Sequence, residues 1–567
     1  MRLSLLIYIL LSGMSLSAQQ PLFIPDTLSG PNISLTLKSD SVQFLAGQKT
    51  QTNGFNNYKY LGPTLILKKG STINLSVNNQ LTDTTTMHWH GLHVAPYNDG
   101  GPHTMILPGA TWTPGFVVMN DAATYFYHPH MGMKTAAQVM LGAMGLIIVR
   151  DSTEATFNLP RRYGLDDFPI IVQSQELDTL NQIDPRGMVD SVLMVNGTMN
   201  PYLDVPAQVV RMRLLNGAQE RAFNFGFTGN KSFYVIATDG GLLDSAISTT
   251  RIRLGPGERA EILLDLSAMN GQSLYLMSYA SEIPIGVQGG PTMPMPPWSP
   301  PMNSPLNGID FNILQLNVGA ASVNPVTTVP TTLVPLNPYA ASSADSIRTI
   351  NFTADSAMVM DGPFYFNGNS FDMMRIDYRI PLNNIEIWKL VNETMVAHAF
   401  HIHDVQFYIL KKNNHGPLSV EKGKKDVVLV EPYDTVYFIT KFQDFTDTAI
   451  PYMYHCHMLM HEDDGMMGQF LVVPATTSVT KISSSPLVNI YPNPADDIVN
   501  IEASNISSTT ANISVTDITG KLLLQKEIKA VNKNINTSID INAFAPGFYI
   551  LTVKAGVEQK VMKLVKK

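Results

Sequence analysis

Cysteine is nearly absent from this 567-residue chain, which has one, Cys456. No intramolecular disulfide can form, so a stapled secretory scaffold is excluded. Charge is sparse as well, at 15% of residues with a net −8, and this argues against nucleic acid as the main partner. No stretch approaches the ~20 consecutive apolar residues that a membrane helix needs, so no transmembrane anchor is expected. Helical periodicity is scarce. In its place are short alternating apolar runs bounded by Gly, Pro, Asn and Asp, such as Ile73-Asn74-Leu75-Ser76-Val77 and Ile385-Glu386-Ile387. That pattern predicts an all-β chain built of sandwiches. At this length a few domains of ~100–200 residues are expected.

Residues 1–18 read as an export signal, with Arg2 as the basic start, Leu5 to Leu11 as the apolar run and Ser17-Ala18 before the cleavage point. The apolar run is too short to be an anchor. An internal repeat follows. Ile73 to Asn78, Arg211 to Asn216 and Ile387 to Asn392 are strand-like runs that each end in Asn. A second strand comes shortly after each: His88-Trp89-His90, Asn224-Phe225-Gly226-Phe227 and His401-Ile402-His403. Three sandwiches are therefore expected, over residues 19–151, 152–320 and 347–474, with a linker at 321–346. The middle copy lacks the histidines and should hold no metal. A Ser/Thr-rich linker, 475–486, leads to a last module of alternating strands at 487–567.

Ten of the thirteen histidines fall in four tight clusters. In a strand, residues i and i+2 project from the same face. His88/His90, His128/His130, His401/His403 and His455/His457 therefore each aim two imidazoles at one place. Eight imidazoles suit a cluster of three metals, shared three, three and two. Cys456 sits between two of them and points to the opposite face, as does His398, three residues before His401. His461 follows Cys456 by five residues and Met466 follows it by ten. A His₂Cys set with a weak axial Met is the ligand set of a blue-copper electron-transfer site. One copper plus three makes four one-electron centres, matching the four electrons that reduce dioxygen to two waters. Zinc carries no electrons, and its structural sites are closed four-ligand units. Chance pairing in core strands would leave buried imidazoles without partners.

The motifs His88-Trp89-His90-Gly91, His128-Pro129-His130, His398-x-x-His401-x-His403 and His455-Cys456-His457-x-x-x-His461 resemble those of the multicopper oxidases in their three-domain, laccase-like form. So do Val195-Asn196-Gly197 to Asp204, Asp239-Gly240-Gly241 and Pro256-Gly257-Glu258-Arg259-Ala260. The resemblance spans about Leu35 to Pro474. It implies three tandem cupredoxin-like Greek-key β-sandwiches, with a small β-sandwich after them, and four copper ions. A type 1 copper would lie on His398, Cys456, His461 and Met466, and a type 2 copper on His88 and His401. The type 3 pair would take His90, His128 and His457 on one ion, and His130, His403 and His455 on the other. Met467 competes with Met466 for the axial role. Asp99 and Glu462 match carboxylates that the family uses as proton relays. His93, on the strand of His90 but facing away, is given no role, and neither are His103 and the loop residue His415.

The electron donor is less marked. Soft thioethers could receive Cu(I), and Met395, Met458 and Met460 lie close to the type 1 ligands in sequence. Copper-detoxifying oxidases, however, place an acid four residues and a methionine two residues before the first histidine of the third motif. Here those positions are Thr394 and Val396. Met293, Met295 and Met302 are a possible substitute. A phenolic or aromatic donor is the first reading and cuprous ion the second. A copper nitrite reductase would need only two domains and one histidine after the cysteine. A non-enzymatic scaffold would have lost ligands, and all are present. One chain holds all four motifs, so a monomer could suffice.

Tyr491-Pro492-Asn493-Pro494-Ala495, Asp517-Ile518-Thr519-Gly520-Lys521, Pro546-Gly547-Phe548-Tyr549 and a basic end with Lys563, Lys566 and Lys567 resemble the type A sorting domain of the type IX secretion system of Bacteroidota. The bland alternative is an immunoglobulin-like accessory domain. The resemblance implies passage through the periplasm and delivery to the medium or the cell surface by the type IX machinery.

Overall fold

The structure is a computed structural model that describes residues 19–187, 189–292, 304–356, 359, 362–475, 487–504, 508–517, 519–556 and 558–567. The export signal at 1–18, nearly all of the second linker, and Met293, Met295 and Met302 lie outside the described residues. The chain divides into two compact units, Met1–Ala475 and Thr476–Lys567. No helix is long and apolar enough to cross a membrane among the described residues.

The first unit is three sandwiches, each with its own apolar core between two sheets. In the first, one sheet places His88–His90 at its edge beside Ala123–His128, which continues to Gly145–Arg150. The third repeats this order: His398–Ile402 lies beside Tyr452–Cys456, then Met467–Val473. In the second, Phe223–Phe227 holds the corresponding place beside Ser273–Ser278, and it carries aromatic side chains instead of imidazoles. Those rings fill the core, so the middle copy is structural where the others hold donors.

The repeat ending in Asn has a physical cause. Asn216 Nδ2 donates to the carbonyls of Arg221 and Leu254, and its Oδ1 accepts from Ala218 N–H at 3.0 Å. Asn392 braces Val396, Val430 and Glu431 in the same way and accepts from Thr394 N–H. In the first sandwich the residue doing this is Asn79, which donates to Asp83 and Ile106 and accepts from Leu81 N–H. The repeat is therefore aligned on Asn79, one residue beyond the Asn78 read from the sequence. Asn78 reaches only Ala110 and Thr111 at the partly exposed edge.

The sandwiches of the first unit share a further apolar cluster. Phe126 and Met144 from the first, Leu215 and Met194 from the second and Leu459 from the third pack together. The second unit pairs a three-stranded with a four-stranded antiparallel sheet around Val499, Ile501, Ile513 and Leu551. This is the small β-sandwich expected after the third repeat.

The brace predicts that Asn79→Ala lowers unfolding stability by about 2 kcal/mol, because the buried Ile106 carbonyl and Leu81 N–H and the part-buried Asp83 carbonyl lose their partner. Asn78→Ala should cost less than ~1 kcal/mol. Urea unfolding of the two variants checks the register, and equal losses would contradict it.

Candidate metal centre

Cross-strand pairing brings the histidines together. His88 lies opposite His128, and His401 lies opposite His455, so the two faces that carry the donors meet between the first and third sandwiches. All eight imidazoles are buried. Their ring nitrogens form sets within 4.8 Å of one another: His88, His90 and His401; His90, His128 and His457; and His130, His403 and His455.

Each ring except His457 has one nitrogen beside a protein oxygen. His88 Nδ1–H donates to the Asp99 carbonyl at 2.9 Å, His128 Nδ1–H to Pro129 at 2.8 Å and His401 Nδ1–H to the Asp426 carbonyl at 2.8 Å. His403 Nδ1–H donates to Asp99 Oδ2 at 2.7 Å. His455 Nδ1 and His130 Nδ1 flank Glu462, at 3.1 Å from Oε2 and 3.3 Å from Oε1. His90 is reversed, with Nε2–H on Asp426 Oδ1 at 3.1 Å. A nitrogen that donates leaves the other with a lone pair. Those other nitrogens converge, with His90 Nδ1 3.4 Å from His128 Nε2 and His403 Nε2 3.3 Å from His455 Nε2. His88, His130, His401 and His457 each keep a buried Nε2 without a hydrogen-bond partner among the described residues. Buried polar atoms are rarely left so. Imidazole lone pairs aimed at one buried space fit a metal such as copper.

Burial holds His90, His128, His130, His401 and His457 well below the usual histidine range, and neighbouring imidazoles add to it. At Asp99 burial opposes the charge, but His403 and His88 outweigh it and keep the carboxyl below its usual range. Gly257 lies over His457 with φ +80°, and a Cβ there would stand 2.9 Å from the imidazole ring. Only glycine lets the middle sandwich come that close.

On the opposite face of the Tyr452–Cys456 strand is the second site. Cys456 Sγ lies 3.7 Å from His398 Nδ1 and 3.5 Å from His461 Nδ1, and those two nitrogens are 3.1 Å apart. His461 comes back to the cysteine on a short helix, Leu459–Asp463, and Met466 carbonyl accepts Cys456 N–H at 3.0 Å. His398 Nε2–H donates to Thr394 Oγ1 at 2.9 Å, and that hydroxyl donates to Asn392 Oδ1 at 2.8 Å. Thr394 thus settles which nitrogen of His398 faces the sulfur. Burial pushes the Cys456 thiol up and draws His461 down to about 3. A metal that binds here must displace the thiol proton.

The ten histidines and Cys456 gather into these two buried groups, with Asp99 and Glu462 beside the larger one. Met467 lies opposite His455 across the strands, hence on the face of the histidine cluster, whereas Met466 shares the buried core of Cys456. His93 differs from expectation. The strand ends at His90 and turns at Leu92, leaving His93 in a loop between Asp404 and Asp444, at 2.8 and 2.9 Å. His103 Nε2 meets Gln469 Oε1 at 2.7 Å. Asp426 carried no motif, Thr394 was named only as a departure from the copper-detoxifying pattern, and Arg259 stood in a quoted motif with no role given to it.

Known proteins resemble this chain across the same three sandwiches. Models described as multicopper oxidase match residues 36–154, 172–290 and 306–476. A multicopper oxidase of Staphylococcus haemolyticus is 35% identical over 450 residues, 78% of this chain and 88% of the relative.

The chain belongs to the multicopper oxidase family.

Among relatives of this multicopper oxidase is also the cell division protein FtsP of Escherichia coli, 31% identical over 467 residues, covering 80% of this chain and 93% of that protein. A solved laccase-like multicopper oxidase from the lignin-degrading bacterium Ochrobactrum is 31% identical with a TM-score of 0.70, covering 80% of this chain and all of that one. The enzyme is a copper-dependent oxidoreductase with dioxygen as acceptor. A secretion-system C-terminal sorting domain matches 489–567, which points to export by type IX secretion.

Eight ligand-set histidines are held below their ordinary value of about 6.5 by burial. In the metal-free protein the unfolded chain then binds protons that the folded chain refuses. Stability is therefore full above pH ~6.5 and falls below it, by up to about 1.4 kcal/mol per pH unit for each histidine. Urea midpoints of the apo-protein at pH 7.5 and 5.5 should differ sharply. Equal midpoints would contradict the burial of neutral imidazoles.

Proposed function

We propose that the chain holds four coppers at the two sites and couples one-electron oxidation of a phenolic or aromatic donor to reduction of dioxygen to water. The observation that carries this reading is the set of buried, unpartnered ring nitrogens converging between the first and third sandwiches. His398, Cys456 and His461 would hold the type 1 copper with Met466 as axial residue, supported by its place on the cysteine face of the strand. His88 and His401 would hold the type 2 copper. His90, His128 and His457, and His130, His403 and His455, would hold the type 3 pair. Bound copper supplies one-electron transfer at the first site and four-electron reduction of dioxygen at the second.

The protein does the rest. Cys456 is bonded in the chain to His455 and His457, so one strand joins the sites by a short covalent path. Asp99 and Glu462 are buried between the histidine sets, each within reach of two imidazoles. Carboxylates so placed can hold protons beside the cluster and release them to it.

A cavity of about 130 Å³ lies beside the type 1 site, lined by Val396, Val287, Gln219, Glu220, Arg221 and Gln288 among others. Ala397 N–H, next to His398, donates to Gly286 on its wall. Gln288 Oε1 is buried there without a hydrogen-bond partner among the described residues, an acceptor suited to a phenol hydroxyl. Thr394 is committed to His398, and Val396 offers no thioether. Cuprous ion is the second reading, favoured by Glu176 and Met140 on the same wall.

Metal analysis should give about four Cu per chain with one blue thiolate absorption, the count of a His₂Cys site plus three further ions. Cys456→Ser should lose the blue absorption and abolish turnover while keeping the other coppers. Oxygen uptake should proceed with phenolics in the absence of added copper. A strict requirement for Cu(I) would replace the first donor reading with the second. The last module would deliver the enzyme to the medium or the cell surface by way of the periplasm. Deletion of residues 487–567 should leave active oxidase in the periplasm, and unchanged release would refute that role.

A further inference from the structure

His90 poses a problem that the other cluster histidines do not. Six of them have Nδ1, the ring atom nearer the backbone, beside a carbonyl or carboxylate, and His457 has no such partner among the described residues. His90 turns Nδ1 inward and leaves Nε2, at the far tip of the ring, to be anchored. Its own strand does not supply that partner. The partner is Asp426 of the third sandwich, whose carboxylate takes Nε2–H and whose carbonyl takes His401 Nδ1–H. His90 and His401 also stack, with ring centroids 3.8 Å apart.

Asp426 is itself held by Arg259, on strand Arg259–Asp265 of the middle sandwich. Every N–H of this buried guanidinium has a partner. Nη1 donates to Asp426 Oδ1 at 2.5 Å and Nη2 to Oδ2 at 2.7 Å. The remaining three N–H groups go to carbonyls of Thr124 in the first sandwich and Gly257 and Asp239 in the second, each at 3.0 Å. A forked pair of this kind fixes a carboxylate in position and in plane. Gly91, directly after His90, has φ +83°, and a Cβ there would stand 2.4 Å from Asp426 Oδ2 and 2.9 Å from Arg259 Nη2. The backbone at that point leaves room for the pair.

We propose that Arg259 of the copper-free sandwich, acting through Asp426, is a positioning residue of the histidine cluster that sets which ring nitrogen His90 offers to the metal. The proposal rests on the four-copper reading above. It gives the middle sandwich a part in the chemistry beyond joining its neighbours. Outer partners of metal-bound histidines typically contribute 10–100-fold to metal affinity or activity.

The test compares Arg259→Lys and Asp426→Asn with Arg213→Lys. Arg213 is an equally buried guanidinium, bonded to Asp167, Glu261 and Thr124 and to no histidine. Lysine keeps the charge of Arg259 but cannot fork, and asparagine keeps the shape of Asp426 without its charge. Copper per chain, the blue absorption from Cys456, the near-ultraviolet absorption of the coupled pair, thermal midpoint and oxygen turnover are read for each. Arg259→Lys and Asp426→Asn should retain the blue absorption, weaken or shift the near-ultraviolet one and slow oxygen turnover 10–100-fold. Arg213→Lys should lower only the thermal midpoint. If Arg259→Lys does not fold, Asp426→Asn carries the comparison. Wild-type near-ultraviolet absorption and turnover in Asp426→Asn, or parallel loss of both absorptions, would overturn the proposal. Failure of the wild-type protein to take up copper would instead overturn the four-copper reading.

Discussion

A buried imidazole has two nitrogens, and in this protein the fate of one decides the use of the other. The rings between the first and third sandwiches are buried, so charge on His90, His128, His130, His401, His403 and His457 is disfavoured and those rings are held neutral. A neutral ring carries one N–H. Where a carbonyl or carboxylate takes that N–H, the lone pair is left on the opposite side and the ring is fixed in orientation. The Asp99, Pro129, Asp426 and Cys456 carbonyls, with the carboxylates of Asp99 and Asp426, perform that service for six rings. Thr394 does it for His398 at the second site.

The same constraint accounts for the division of labour among the sandwiches. The first and third bring His-x-His strands to a common interface, and the second fills the corresponding strand with Phe223, Phe225 and Phe227, all buried in its core. The middle copy nevertheless reaches the centre. Gly257 lies against His457, and Arg259 grips Asp426. Its contribution consists of backbone approach and a fixed counter-charge, with no donor atom. Loss of ligands in one copy of a repeat therefore need not separate that copy from the site.

How much of this was legible beforehand depended on distance along the chain. The four histidine pairs, Cys456 and His461 were readable because their spacing translates directly into strand faces. His398 was readable for the same reason, by its odd offset from His401. The brace of each repeat was visible as a recurring Asn, but Asn78-Asn79 presents two candidates, and only hydrogen-bond partners far off in sequence choose Asn79. His93 was misread as a strand residue because nothing local announces the turn at Leu92. Thr394 was noticed for what it is not, an acid, while its hydroxyl serves His398. Asp426 sits among ordinary apolar and basic residues and had no local signal at all.

By itself, then, the sequence determined that the chain is all-β, that its donors fall into two sets on opposite faces of one strand, and that a copper-binding oxidase is built from them. The first two conclusions depend on a two-residue period, which operates within a single strand and needs no knowledge of the rest of the chain, and the third depends on the ligand set, the electron count and the resemblance of the four motifs to the multicopper oxidases. Tertiary structure alone decided which ring nitrogen each histidine presents and what holds it there. Asp99 lies 304 residues from His403, Asp426 336 from His90 and Arg259 167 from Asp426. Contacts of that span form only when separate sandwiches pack together, because the atom that must be anchored lies at the far end of the ring from its own backbone.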